Sequence, residues 1–184
     1  MKKTALLIID VQNDYFPGGK MELAGSVEAA EKISDVLAGF RASNLPIIHI
    51  QHESVQQDAT FFLPGTPGQQ IHPEVQPLPD EKLVIKNFPN SFLHTDLLQF
   101  LHENHIHELI ITGMMTFMCV DATTRAAIDQ GFVCTLVHDC TASPAAEFGG
   151  ISCSGEEVRA VLTRALSYIC KEVVSAAEIL DRIK

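Results

Sequence analysis

Three side chains in this 184-residue sequence are of the types that acyl transfer needs: a thiol at Cys119, a carboxylate at Asp10 and an amine at Lys86. A thiol attacks a carbonyl once a base takes its proton, and a nearby cation steadies the charges that result. Asp10 closes the apolar run Ala5 to Ile9 and opens Asp-Val-Gln-Asn-Asp-Tyr-Phe. A carboxylate in that place is costly unless it is paired or functional. A phosphoryl-transfer aspartate would want a second Asp where Gln12 stands, and no Gly-rich turn follows to hold a nucleotide. Lys86 ends Leu-Val-Ile-Lys, where a solvated lysine is the default. Cys119 lies beyond Thr112-Gly-Met-Met-Thr-Phe-Met, which leads into a helical pattern carrying Val120, Ala127 and Ile128. In a first helical turn, free N–H groups and the helix dipole lower a thiol's pKa and can hold an oxyanion. The competing reading of Cys119 is a small apolar residue packing a helix start.

Histidines offer a metal alternative. His49 and His52 are three apart, which in a strand sets them on opposite faces, so they do not readily share an ion. His52 and His72 are the remaining pair that could hold an ion, and no metal is expected. His94, His102, His105 and His107 fall on a helix and its end, on a solvated face. Asp121 and Arg125 are spaced to pair with each other along the helix after Cys119.

The elements that must position these groups alternate. Continuous apolar runs predict strands at Thr4–Ile9, Pro46–Gln51, Lys82–Ile85, Glu108–Thr112, Phe132–Val137 and Glu172–Val174, as in a parallel sheet covered on both faces. Between them lie amphipathic helices. Ser26 is placed as a cap ahead of Val27, Ala30, Ile33, Leu37 and Phe40, and Ser154 with Glu157 forms a capping box ahead of Val158, Val161, Leu162, Ala165 and Ile169. Ser175 and Glu178 repeat that device. The order β-α-β-β-α-β-α-β-α-β-α makes an open α/β sheet in one domain, 1–184. Ligands of such sheets bind beyond the carboxyl ends of the strands. Asp10, Lys86 and Cys119 all fall there. Residues 53–81, with five prolines, and 138–153, rich in small residues, read as long connections that wall or cover a pocket.

Composition narrows the partners. Net charge is −10, from 13 basic and 23 acidic residues with no basic run, which argues against nucleic acid or anionic membrane. The apolar run after Lys2 and Lys3 is five residues, short of the roughly 7–15 of a secretory signal and the ~20 of a membrane span. A cytoplasmic protein is expected. Five scattered cysteines suggest neither a disulfide framework nor a zinc ribbon.

Three motifs, Asp10-Val-Gln-Asn-Asp-Tyr-Phe, Lys86-Asn-Phe-Pro-Asn-Ser-Phe and Gly113-Met-Met-Thr-Phe-Met-Cys119-Val-Asp-Ala-Thr, resemble the isochorismatase-like cysteine hydrolases in kind and order, nearly end to end. That family includes nicotinamidases, N-carbamoylsarcosine and ureidoacrylate amidohydrolases, streptothricin hydrolase and isochorismatase. The resemblance implies a Rossmann-like three-layer α/β/α fold with a six-stranded parallel sheet ordered 3-2-1-4-5-6. It implies a triad of Asp10, Lys86 and Cys119, a cis peptide at Met114–Met115, and an oxyanion hole from the Met115 and Cys119 N–H groups. It also implies a homo-oligomer, dimer or tetramer. Nicotinamidases carry an Asp-x-His metal motif where this chain has Gln51-His52-Glu53, and isochorismatase proper has glycine in place of the cysteine. Close relatives read Met-Met-Thr-His-Met-Cys, with Phe117 standing here for the histidine.

The expected reaction is cleavage of a C–N bond in a small amide, ureide or carbamoyl compound through a thioester, without a cofactor. Asp10 serves as base and then acid, and Tyr15, Phe61, Phe62, Phe92 and Phe117 are candidate pocket walls. The alternatives are vinyl-ether hydrolysis of the isochorismatase type and a binding or scaffold protein without activity.

Overall fold

The structure, a computed structural model, describes residues 3–183. Its strands are β1 (Lys3–Ile9), β2 (Ile47–His52), β3 (Lys82–Lys86), β4 (Ile106–Met114), β5 (Val133–Ala142), β6 (Ala146–Phe148), β7 (Ile151–Cys153) and β8 (Glu172–Val174). The helices are α1 (Ser26–Ala42), α2 (Leu97–Glu103), α3 (Asp121–Asp129), α4 (Gly155–Leu166) and α5 (Ala176–Arg182).

Successive side chains of a strand face opposite ways, and β1 is apolar on both faces. Leu6 and Ile8 pack with Ile33, Leu37 and Phe40 of α1 and Ile179 of α5. Ala5, Leu7 and Ile9 pack with Leu101 of α2, Ala127 of α3 and Leu166 of α4. Each fully buried Leu or Ile contributes about 1.5–3 kcal/mol over an exposed one, so a strand with two apolar faces holds both helical layers. The sheet is parallel in the order β3-β2-β1-β4-β5-β8. This is the expected order, with β8 as its sixth strand.

The extra numbering comes from β6 and β7, which pair antiparallel outside the main sheet. They occupy the segment read as a long connection. The turn between them is Gly149-Gly150 with φ of 60° and 79°, as a two-residue hairpin loop of the primed type needs. β3 lies at the sheet edge, so Leu83 and Ile85 are exposed while Val84 and Lys86 are buried. Its run is therefore covered on one face only.

Both serine–glutamate capping boxes form, at Ser154 with Glu157 and at Ser175 with Glu178. Ser26 does not cap α1. Gly25 holds that position in the left-handed conformation, and Ser26 is the first, buried helical residue. The apolar stripe shifts with it: Val27 is exposed, and Ala29 and Val36 join Ala30, Ile33, Leu37 and Phe40 inside. Val161 of α4 is likewise exposed, as is Ile169, which falls beyond the helix end, and Leu166 fills the core.

Arg41 of α1 grips Glu81 through Nε and Nη2 at 2.7 and 2.9 Å, and Glu81 also meets His49 Nε2 at 2.9 Å. Burial alone would raise the Glu81 carboxyl, but Arg41, the Leu78 N–H and His49 outweigh it and hold it down at about 2. His49 is thus a buried structural partner. No helix among the described residues is long and apolar enough to cross a membrane.

Candidate active site

At the carboxyl end of the sheet the first strand turns abruptly. Asp10 follows Ile9 with φ of +50°, a left-handed conformation that Asp tolerates better than most residues, and its side chain is fully buried. Gly113 of β4 pairs in register with Ile9 and has φ of +114°. A Cβ there would lie 2.0 Å from the Ile9 carbonyl oxygen, so only glycine lets the two chain segments approach where the site is built. After the cis peptide Met114–Met115, the chain makes a π-helical turn, Thr116–Val120, before α3 begins at Asp121. Cys119 sits in that turn, 4% exposed.

Lys86 reaches these groups from the edge. It is paired in register with His52 on β2, and its side chain passes inward over that strand. Its Nζ stands 2.7 Å from Asp10 Oδ2, 3.0 Å from His52 Nδ1, 3.1 Å from the Phe88 carbonyl oxygen and 3.3 Å from Cys119 Sγ. All three sequence-derived residues therefore meet around one buried ammonium. Apart from the ion pair with Lys86, neither Asp10 oxygen has a hydrogen-bond partner, which leaves the carboxylate open to accept a proton. The sulfur, an Asp10 oxygen and a His52 ring nitrogen lie within 4.8 Å of one another. Such a group has the composition of a metal site, but the Lys86 ammonium already bonds or pairs with all three members. His72 stays outside the group, stacked on Phe16 with ring centroids 3.6 Å apart.

The electrostatics correct one expectation. Burial pushes the Cys119 thiol well up, the Asp10 charge pushes it further, and Lys86 only partly opposes them. Cys119 rests as a thiol, not the thiolate expected of a helix N-terminus, and the turn places it ahead of α3 rather than inside it. For Lys86, burial pulls downward, yet the adjacent Asp10 and Cys119 outweigh it and keep the ammonium protonated. Burial, with Cys119 and Asp10 nearby, also raises Tyr15, whose phenol stays neutral.

Above Cys119 opens a cavity of about 390 Å³. Tyr15, Phe61 and Phe62 line it, joined by His52, Phe88 and Met118. The wall is built from the 53–81 segment, pinned by Asp14: Oδ2 accepts the Phe62 N–H at 2.7 Å and Oδ1 the Lys20 N–H at 3.1 Å. Phe62 is held at φ +55° and meets Tyr15 edge-on, ring centroids 4.6 Å apart. Phe92 and Phe117 are not in the lining. Phe92 stacks on Phe132 against the core beneath α2, and Phe117 packs into the opposite core, because the π-turn aims Met118 rather than Phe117 at the cavity. Residues 138–153 do not line it either. Asp121 and Arg125 pair with each other at 2.9 Å. The sequence offered His52 only as a metal-ligand alternative, since its contact with Lys86 depends on the β2–β3 register.

A model of the isochorismatase domain matches residues 4–160. The isochorismatase family protein YddQ of Bacillus subtilis is 46% identical over 140 residues, covering 76% of this chain and 78% of that protein. A streptothricin hydrolase of Streptomyces noursei is 32% identical over 143 residues, 76% of this chain and 54% of that one. The crystal structure of an isochorismatase hydrolase from Oleispira antarctica superposes with a TM-score of 0.94 at 44% identity, covering 98% of this chain and 97% of the other.

Proposed function

The chain belongs to the isochorismatase family of hydrolases, and within it we propose a cysteine-dependent enzyme that cleaves a C–N bond of a small amide, ureide or carbamoyl compound. The observation that carries this reading is the Lys86 ammonium bridging Asp10 Oδ2 and Cys119 Sγ at the floor of a cavity. In the proposed sequence Asp10 takes the thiol proton as Sγ attacks the substrate carbonyl. Lys86 stabilises the sulfur while it carries charge and keeps the carboxylate in place. Because the thiol starts protonated, transfer accompanies attack.

The oxyanion of the tetrahedral intermediate is assigned to the Met115 and Cys119 N–H groups. The Met115 N–H has no hydrogen-bond partner among the described residues, and Met115 lines the cavity. Collapse breaks the C–N bond, Asp10 returns its proton to the leaving nitrogen, and a thioester remains on Cys119. Water then attacks the thioester, giving the acid and restoring the thiol. No cofactor enters this sequence.

The test is a panel of small amides, ureides and carbamoyl compounds scored for ammonia or amine release, with Cys119→Ala as control. Release that Cys119→Ala abolishes supports the proposal; release that survives it points to thiol-independent hydrolysis. No Cys119-dependent release from any compound would count against the amidohydrolase reading. The family resemblance further supports a dimer or tetramer, which sedimentation velocity reads directly, and the short apolar run after Lys3 supports a cytoplasmic place.

A further inference from the structure

His52 is not needed in the proposed sequence, yet both its backbone and its ring are held. Gln12 Oε1 accepts its backbone N–H at 2.7 Å, and Gln12 Nε2 donates to its carbonyl at 2.8 Å, so the base of the side chain is fixed. Its Nδ1 stands 3.0 Å from Lys86 Nζ. An ammonium has three protons and no lone pair, so Nδ1 must accept. A ring whose Nδ1 accepts is neutral and carries its proton on Nε2. Burial lowers the basicity of His52, and the Lys86 charge adds to that against a smaller pull from Asp10, which is consistent with the neutral form.

The second nitrogen is unpartnered: no described residue accepts from Nε2, and the half-buried ring lines the cavity with Tyr15, Phe61, Phe62, Phe88 and Met118. A fixed donor in a largely apolar wall selects ligands by the acceptor they bring, because a ligand lacking one leaves it unpaired. One His52 nitrogen lies within 4.8 Å of Sγ, so Nε2 reaches positions only a few bonds beyond a carbonyl seated on the sulfur.

We propose that Lys86 locks His52 as the Nε2–H tautomer and that this N–H selects substrates with a hydrogen-bond acceptor beside the scissile carbonyl. The chemical class is alkoxy- or oxo-amides and acyl ureides rather than plain alkyl or aryl amides. The selection rests on the hydrolase reading above; the tautomer does not.

Two measurements test it on the full chain. Nitrogen-15 histidine spectra at pH 7 should show His52 as neutral Nε2–H; an Nδ1–H or imidazolium form overturns the inference whether or not any amide is cleaved. Phenoxyacetamide and 3-phenylpropanamide differ by an ether oxygen in place of a methylene. The ether should be hydrolysed roughly tenfold faster in kcat/KM, the scale of one hydrogen bond. That ratio should collapse in His52→Phe and largely persist in His52→Gln, which keeps a donor. Equal rates, or an unchanged ratio in His52→Phe, overturns the selection. If neither amide turns over, the ratio is read as affinity for the Cys119→Ala protein, where equal or absent binding overturns it. Binding of the ether through His52 without turnover would leave the selection standing, and the compound panel above decides the amidohydrolase reading separately.

Discussion

Asp10 Oδ2 and Lys86 Nζ lie 2.7 Å apart with both side chains fully buried, although β2 separates their strands in the sheet. The lysine spans that gap because it ends the edge strand with its side chain turned inward, where its long stem crosses over His52. A buried pair is held less by net attraction than by the cost of leaving either charge alone.

Removing only the cation should therefore be severe. Lys86→Met is expected to lose about 3–5 kcal/mol of stability in urea titrations, by stranding the Asp10 carboxylate. Asp10→Asn combined with Lys86→Met should recover much of that loss. A double variant as unstable as the sum of the singles would show that the two groups do not depend on each other.

Asp10→Asn should separate reactivity from turnover. The Asp10 charge raises the Cys119 thiol, so its removal lowers that pKa and leaves Lys86 to stabilise the thiolate. Thiolate absorbance should appear at lower pH than in the wild type, while Cys119-dependent hydrolysis falls by roughly 100-fold or more for want of the base. In the wild type at pH 7, the partly exposed Cys153 and Cys170 should label before Cys119. A thiolate appearing at higher pH in Asp10→Asn would contradict the proposed electrostatics.

The meeting of Asp10, Lys86 and Cys119 was legible because each breaks an apolar strand or its following turn with a polar group, and strand ends of such sheets converge. The capping boxes were legible because their signal is local. What could not be read depends on distant register or on a single turn's shape. His52 needs β2 and β3 aligned, Phe92 and Phe117 needed the helix and π-turn phases, and Gly25 displaced Ser26 by one residue. Gly149-Gly150 between Phe148 and Ile151 was a readable hairpin signal that the small-residue composition of its surroundings obscured.

Acid should act through Glu81. Its folded-state pKa is depressed to about 2 from 4.5, so the stability it contributes is fully present above about pH 4.5 and is lost as pH falls toward 2. Glu81→Gln should flatten the decline of the urea midpoint across that window. An unchanged decline would show that other carboxylates govern it.

The Asp14 clamp should affect the cavity more than the fold. Asp14→Ala leaves the Phe62 and Lys20 N–H groups unpaired, at a cost of about 1–3 kcal/mol. Substrate KM should rise by a larger factor than that of a surface control of equal stability loss, since the wall carrying Phe61 and Phe62 is freed. Equal KM in the two would place the clamp outside substrate binding.

Position 10 has a very small permitted alphabet. Its left-handed backbone suits Gly, Asn and Asp, and of these only Asp can exchange a proton with a thiol. A lineage drifting away from this chemistry would therefore exchange Asp10 for Asn or Gly at little cost to the backbone. On the proposed mechanism, one letter of sequence is then enough to silence the protein without changing its shape.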